Sequence, residues 1–308
     1  MTKYFGVITS SDHIKIGGQK RPFWEFLDQH PAGWLCSLAY EREDVPADRQ
    51  RIWDCGAWSY KDQVIPNLGR GRLVTPAWAM EQYRRLGQSG DLIIAPDHML
   101  IDGLSAADLD ARRAFNHESA AVFLDFARDS GMQPMAVVHG QDTAERLEHA
   151  QTLRDMGYRA LALGGMAARA SQKRLAVEFA ESARRAVPEV WLHVLGLSAP
   201  GFMSEWGRIG IDSADGSSHF KMAFTGGAFF THSGPQMIKH QAARVERGRP
   251  DRLLEAITAP ECYCKACRTL RDEGVDTRQY GSNEHNMGRA AHNLNILIRA
   301  QAAALEAA

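Results

Sequence analysis

Three thiols crowd into Cys262-Tyr-Cys-Lys-Ala-Cys267, and an imidazole follows in Ala291-His-Asn293. Cysteines this close cannot be shared among separate disulfides without strain, whereas a knuckle folded around one ion turns all of them inward. Cys262, Cys264, Cys267 and a histidine would supply the sulfurs and nitrogen of a closed tetrahedral site, so the expected metal is a structural Zn2+. The plainer alternative is a set of unliganded thiols. His285 and His292 stand one heptad apart and share a helical face, so spacing leaves the histidine open between them.

A second set of reactive residues is spread along the chain, each member at the end of an apolar run: Asp54, Asp97, His139, Gly164 with Gly165, His193 with Gly196, and Asp215. Aspartate is a common helix cap, and capping is the plain alternative for Asp54 or Asp97 taken singly. Convergence of the set on one face is what favours chemistry. Three carboxylates beside a sugar and a base suggest glycosidic chemistry. One attacks an anomeric carbon, one protonates the leaving group, and one accepts from a donor edge such as N1 and N2 of guanine. Paired glycines let a peptide N–H approach a base carbonyl.

The elements that position these residues repeat regularly. Apolar runs at 51–57, 91–97, 134–140, 158–165 and 190–196 alternate with helical periodicity near 76–86, 105–128, 143–156, 172–186 and 202–209, before a last run at 211–216. A first strand is expected within 1–9, a short helix at 22–27 and a buried segment at 33–39. Serial strand–helix units mean right-handed crossovers and a parallel sheet. The expected fold class is α/β: a (β/α)8 TIM barrel with a small zinc-binding subdomain inserted near the C-terminus. The whole of 1–308 reads as one barrel domain with the zinc subdomain at about 255–295, and a helix from Met287 is expected to close the ring or pack across it. No Gly-x-Gly-x-x-Gly turn follows the first strand, so a dinucleotide fold has little support.

The 308 residues carry a formal charge of −1, which argues against a dominant electrostatic grip on nucleic acid and leaves only local ones. The best local candidate is Lys239-His-Gln-Ala-Ala-Arg-Val-Glu-Arg-Gly-Arg-Pro-Asp-Arg252, for which an ordinary solvated helix face is the alternative. No apolar run is long enough to span a bilayer, and the first residues read as a strand and not a secretory signal. Three of five cysteines committed to a metal leave Cys36 and Cys55 as an unconvincing disulfide framework, which favours a reducing cytoplasm. Trp53, Trp58, Trp78 and Trp191 are expected in the core.

Taken in order, these motifs resemble the tRNA-guanine transglycosylase superfamily over nearly the whole chain. Cys262-x-Cys264-x-x-Cys267 with His292-Asn293 is similar to the family's zinc motif, Asp54-Cys-Gly-Ala-Trp58 to its Asp-Ser-Gly-Gly-Phe segment, and Gly210-Ile-Asp-Ser-Ala-Asp215 to its Gly-x-Asp-x-Phe-Asp segment. The resemblance implies that Asp215 is the nucleophile at C1′ of a guanosine and Asp54 the general acid/base. It further implies that Asp97 reads the donor edge of the purine, that Gly164 and Gly165 present backbone donors, and that His292 completes the zinc set. His139 and His193 are expected beside the substrate. The incoming partner would be a free 7-deazaguanine base; no redox cofactor or ATP is called for.

The departures bear on the polynucleotide. Val138-His139-Gly140 stands where bacterial queuine-pathway enzymes have Val-Gln-Gly, Leu192-His-Val-Leu-Gly196 is closer to the archaeal form, and Gly216-Ser-Ser-His-Phe-Lys221 replaces the bacterial Cys-Val-Leu-Pro-Thr-Arg. Little chain follows the zinc helix to hold the further RNA-binding domains of archaeal enzymes. The chain looks most like the compact DpdA-type branch, which places 7-deazaguanines in DNA. DNA is therefore the expected substrate, with tRNA as the alternative. A noncatalytic zinc-bearing nucleic-acid subunit and a nucleoside hydrolase are the readings from other classes. A homodimer or a helper protein is a possible partner.

Overall fold

In the computed structural model the described residues are 2–10, 12–225, 227–231, 237–241, 262–275, 277 and 282–306. They form two compact units, one of Met1–Ser10 with Ala32–Gly216 and one of Ser11–Pro31 with Ser217–Ala308.

The first unit is a closed barrel of eight parallel strands. In chain order the strands of the molecule are β1 (Lys3–Ile8), β2 (His13–Ile16), β3 (Gln19–Pro22), β4 (Gly33–Ser37), β5 (Gln50–Asp54), β6 (Leu92–Ile94), β7 (Gln133–Val138), β8 (Ala160–Leu163), β9 (Trp191–Val194), β10 (Ser213–Gly216), β11 (Gly227–Thr231) and β12 (Met237–Gln241). β1 and β4 to β10 make the ring, each beside its neighbour in sequence. β1 closes it against β10 in the register Lys3↔Ser213 to Gly6↔Gly216. The ring is thus closed by strands, and the expected closure by the C-terminal helix is not what is found.

After β5 come a single turn, α1 (Ala57–Tyr60), and the helix α2 (Pro76–Leu86); the later crossovers are α3 (Ala106–Ala127), α4 (Thr143–Met156), α5 (Lys173–Ala186) and α6 (Pro200–Ile209). The helix starts are specified locally. Thr75, Ser105 and Asp142 accept the N–H of Trp78, Asp108 and Glu145, so α2, α3 and α4 take their caps from these residues and not from Asp54 or Asp97.

Strand residues alternate between two cores, as the pleat requires. Phe5, Leu35, Ile52, Leu92, Ile94, Met135, Val137, Ala160 and Ala162 form one cluster. Ala136, Val138, Leu161, Leu163, Leu192 and Val194 face the other way and pack with Leu153, Phe179, Ala183 and Trp206 of the helices. With both faces buried, the strands read as continuous apolar runs that end in polar residues at the open rim.

The second unit holds the β2–β3 hairpin, the β11–β12 hairpin, α7 (Ser218–Phe224), α8 (Lys265–Asp272) and α9 (Asn283–Glu306). α9 starts four residues before the expected Met287 and packs against α7, α8 and β11. His219 and Phe220 are buried here against Phe23. The basic stretch from Lys239 continues past Gln241 outside the described residues. Among the described residues no helix is long and apolar enough to cross a membrane.

Candidate active site and metal group

The ends of β5, β6, β7, β8, β9 and β10 lie on one rim of the barrel, because eight parallel strands put all their C-termini at the same end. Asp54, Asp97, His139, Gly164, His193 and Asp215 stand at or just past those ends.

Asp215 is buried and its Oδ1 is doubly held, accepting from the Gly196 N–H at 2.8 Å and from His193 Nε2 at 3.0 Å. Gly196 adopts φ +73, and a Cβ there would lie 2.9 Å from that of Ala167, so only glycine offers this N–H without strain. Behind His193 the polarity of a chain of bonds is set by its ends. Trp191 Nε1 only donates, here to Ser213 Oγ at 2.9 Å, and Ser213 Oγ lies 2.8 Å from His193 Nδ1. With a neutral imidazole the serine donates onward, which leaves Nε2 as the donor to Asp215. His193 is wholly buried, with one ring nitrogen on Ser213 and the other on Asp215. No hydrogen bond reaches Asp215 Oδ2 among the described residues. The Tyr4 hydroxyl donates to Gly216 O at 3.1 Å; burial first, and then the charge of Asp215, push its pKa well up.

Asp54 occupies the other side of the electrostatic problem. Its Oδ2 accepts from the Gly56 N–H at 3.0 Å. Burial, then the neighbouring charges of Asp97 and Asp215, lift its pKa to about 7, against the opposing pull of bonds to Ser37 and Gly56. A carboxyl poised there holds a proton at neutrality and can release it.

Asp97 is gripped from three elements. α3 holds its loop from both flanks: Ser119 Oγ donates to Pro96 O, and Asn116 both accepts from His98 N at 2.6 Å and donates to His98 O at 3.0 Å. His139 Nε2 meets Asp97 Oδ2 at 2.8 Å, and Cys55 Sγ donates to Oδ1 at 3.2 Å. Burial and then the charges of Asp97 and Asp54 push the Cys55 thiol up, which keeps it a donor. Gly164 makes room for His139: an added Cβ would sit 2.7 Å from His139 Cε1 and 3.0 Å from Nδ1. Gly165 is partly exposed with φ +71.

Several participants were not legible beforehand. Cys55, Ser213 and Tyr60, whose hydroxyl donates to Asp97 O at 2.9 Å, enter through contacts between elements distant in sequence, whereas Gly56 meets Asp54 from only two residues away. Trp58, expected in the core, is 56% exposed with Lys61 over its ring, because its single-turn helix leaves the side chain outside the barrel. Trp53 is buried as expected.

In the second unit Cys262, Cys264, Cys267 and His292 bring their ligand atoms within 4.8 Å of one another. Cys264 caps α8 and Cys267 lies in its first turn, while α9 supplies His292. His292 Nδ1 lies 3.6 Å from Cys264 Sγ and 3.3 Å from Cys267 Sγ. Sulfur and nitrogen on a common tetrahedral zinc are separated by about 3.5 Å, so the group fits a metal of that kind. His285 is turned instead onto Ser282 Oγ at 2.7 Å, which resolves the choice between the two histidines. All five cysteines are free of disulfides.

Over 184 residues the chain is 26% identical to a DNA-guanine transglycosylase from Salmonella montevideo. The matched stretch takes in 58% of this chain and 43% of that relative, so the chain spans less than half the length of the curated protein it resembles. The family described as queuine tRNA-ribosyltransferase matches residues 65–304, which include Asp97, Asp215 and the Cys3His group and begin after Asp54. With a match over well more than half of its length, a closed parallel barrel and that metal-binding group, the chain belongs to the queuine tRNA-ribosyltransferase family, in the tRNA-guanine transglycosylase superfamily.

Proposed function

We propose that this chain exchanges guanine in a polynucleotide, DNA in preference to tRNA, for a free 7-deazaguanine base through a glycosyl-enzyme on Asp215. The observation that carries the reading is the contrast between two carboxylates on one rim. Asp54 holds a proton near neutrality, while Asp215 is fixed by two donors on one oxygen, its other oxygen receiving no hydrogen bond among the described residues. Asp215 Oδ2 attacks C1′; the glycosidic electron pair leaves on guanine, which takes the proton from Asp54. The incoming base returns its proton to Asp54 and attacks C1′, which frees Asp215, and two inversions give retention. Asp97 accepts from the N1 and N2 edge of the base, with His139 and Cys55 holding its orientation, and the Gly164–Gly165 backbone meets the base carbonyl. When bound, zinc holds α8 to α9 through Cys262, Cys264, Cys267 and His292 and takes no part in the exchange.

DNA is favoured by the name of the relative, and tRNA by that of the family. On a duplex the target nucleotide must leave the stack, at a cost of a few kcal/mol. Purified protein incubated with labelled guanine should transfer label to double-stranded DNA, and Asp215→Ala should abolish the transfer. Label entering tRNA alone would move the substrate to tRNA, and label entering neither would refute the exchange reading.

A further inference from the structure

Beneath the paired glycines lies a cation that the exchange steps do not use. Arg146, on α4, is buried; its guanidinium donates to Gly164 O at 3.1 Å and toward Val138 O at 3.5 Å, and rests 4.2 Å from the centre of the Phe179 ring. Among the described residues no carboxylate is hydrogen-bonded to it and its Nε has no hydrogen-bond partner. Burial, then repulsion from Arg169, bring its pKa down to about 10. A charge held in the interior only by carbonyls and a ring face is a net cost to folding.

The carbonyl it grips belongs to the Gly164–Gly165 peptide. That peptide is trans and planar, so the Gly165 N–H points the opposite way from the carbonyl. Among the described residues that N–H donates to nothing, and Gly165 is partly exposed. One end of the peptide dipole is therefore locked against a buried cation and the other is left open.

The geometry points to Arg146 as a positioning residue that fixes the Gly164–Gly165 peptide with its N–H toward the bound base and polarises that N–H as the donor to the carbonyl oxygen of a guanine-type ring. A hydrogen bond at one end of an amide strengthens the bond at the other, most when the first partner is charged. The inference rests on the transglycosylase reading.

The test compares two ligands by calorimetry: guanine, which carries the carbonyl, and 2,6-diaminopurine, which carries an amino group in its place. Wild type should prefer guanine. Arg146→Met should weaken guanine binding roughly tenfold, the scale of one charge-supported hydrogen bond, and leave 2,6-diaminopurine binding unchanged. Arg146→Lys should lie between. Equal weakening of both ligands, or of neither, overturns the inference and leaves Arg146 a packing residue. A wild type that binds neither base overturns the transglycosylase reading, and this inference with it, before any substitution is made. If circular dichroism shows Arg146→Met unfolded, Arg146→Lys carries the comparison: a several-fold loss confined to guanine supports the role and an unchanged preference refutes it.

Discussion

At the scale of single residues the site separates two like groups by their surroundings. Asp54 keeps its proton up to about pH 7 in the fold, against an ordinary 3.8, so the native state binds more protons than the unfolded chain between those values. Stability conferred this way is present at acid pH and is lost as pH rises through 7. Asp54→Asn, with no charge to develop, should melt with wild type near pH 4 and above it at pH 8. After discounting for partial exposure the gain is about 1 kcal/mol, or about 2–4 °C in Tm, which a pH series of thermal melts will read. The same proton sets the expected activity profile: guanine exchange by wild type should decline above pH 7, and Asp54→Asn should exchange nothing.

At the scale of elements, strand ends and the first turns behind them set the geometry. Gly164→Ala would thrust a methyl against His139 and Val137, the distance to each being 2.7 Å. It should cost about 1–3 kcal/mol and displace the imidazole from Asp97. The cost should shrink in a His139→Ala background, because the two changes share one contact; a double-mutant cycle by denaturant unfolding measures this. The elements themselves were largely legible. Pro76–Leu86 and Thr143–Met156 fall where the periodicity puts them. The β2–β3 hairpin was not, because four-residue strands such as His13–Ile16 give too short a pattern to distinguish from loop. Nor was the pairing of His193 with Asp215, which depends on β9 and β10 lying in the register His193↔Ser213. Residue types announced the chemistry, and only the register revealed which side chains hold which.

At the scale of the molecule the metal-binding group and the barrel belong to different compact units, so loss of the metal should register in one of them. Chelation, or Cys264→Ser, is expected to release one zinc per chain and to speed amide exchange in α8 and α9, while amides of β5 to β9 keep their protection. Mass spectrometry reads both quantities. The barrel's closure carries a further consequence for how the chain is made. β1 leaves the ribosome before the other strands of the ring, yet one of its two partners there, β10, lies some two hundred residues later. At about 5–20 residues per second that partner is delayed by roughly 10–40 s. Through that interval an apolar strand has one edge without its partner, the kind of edge at which strands pair wrongly.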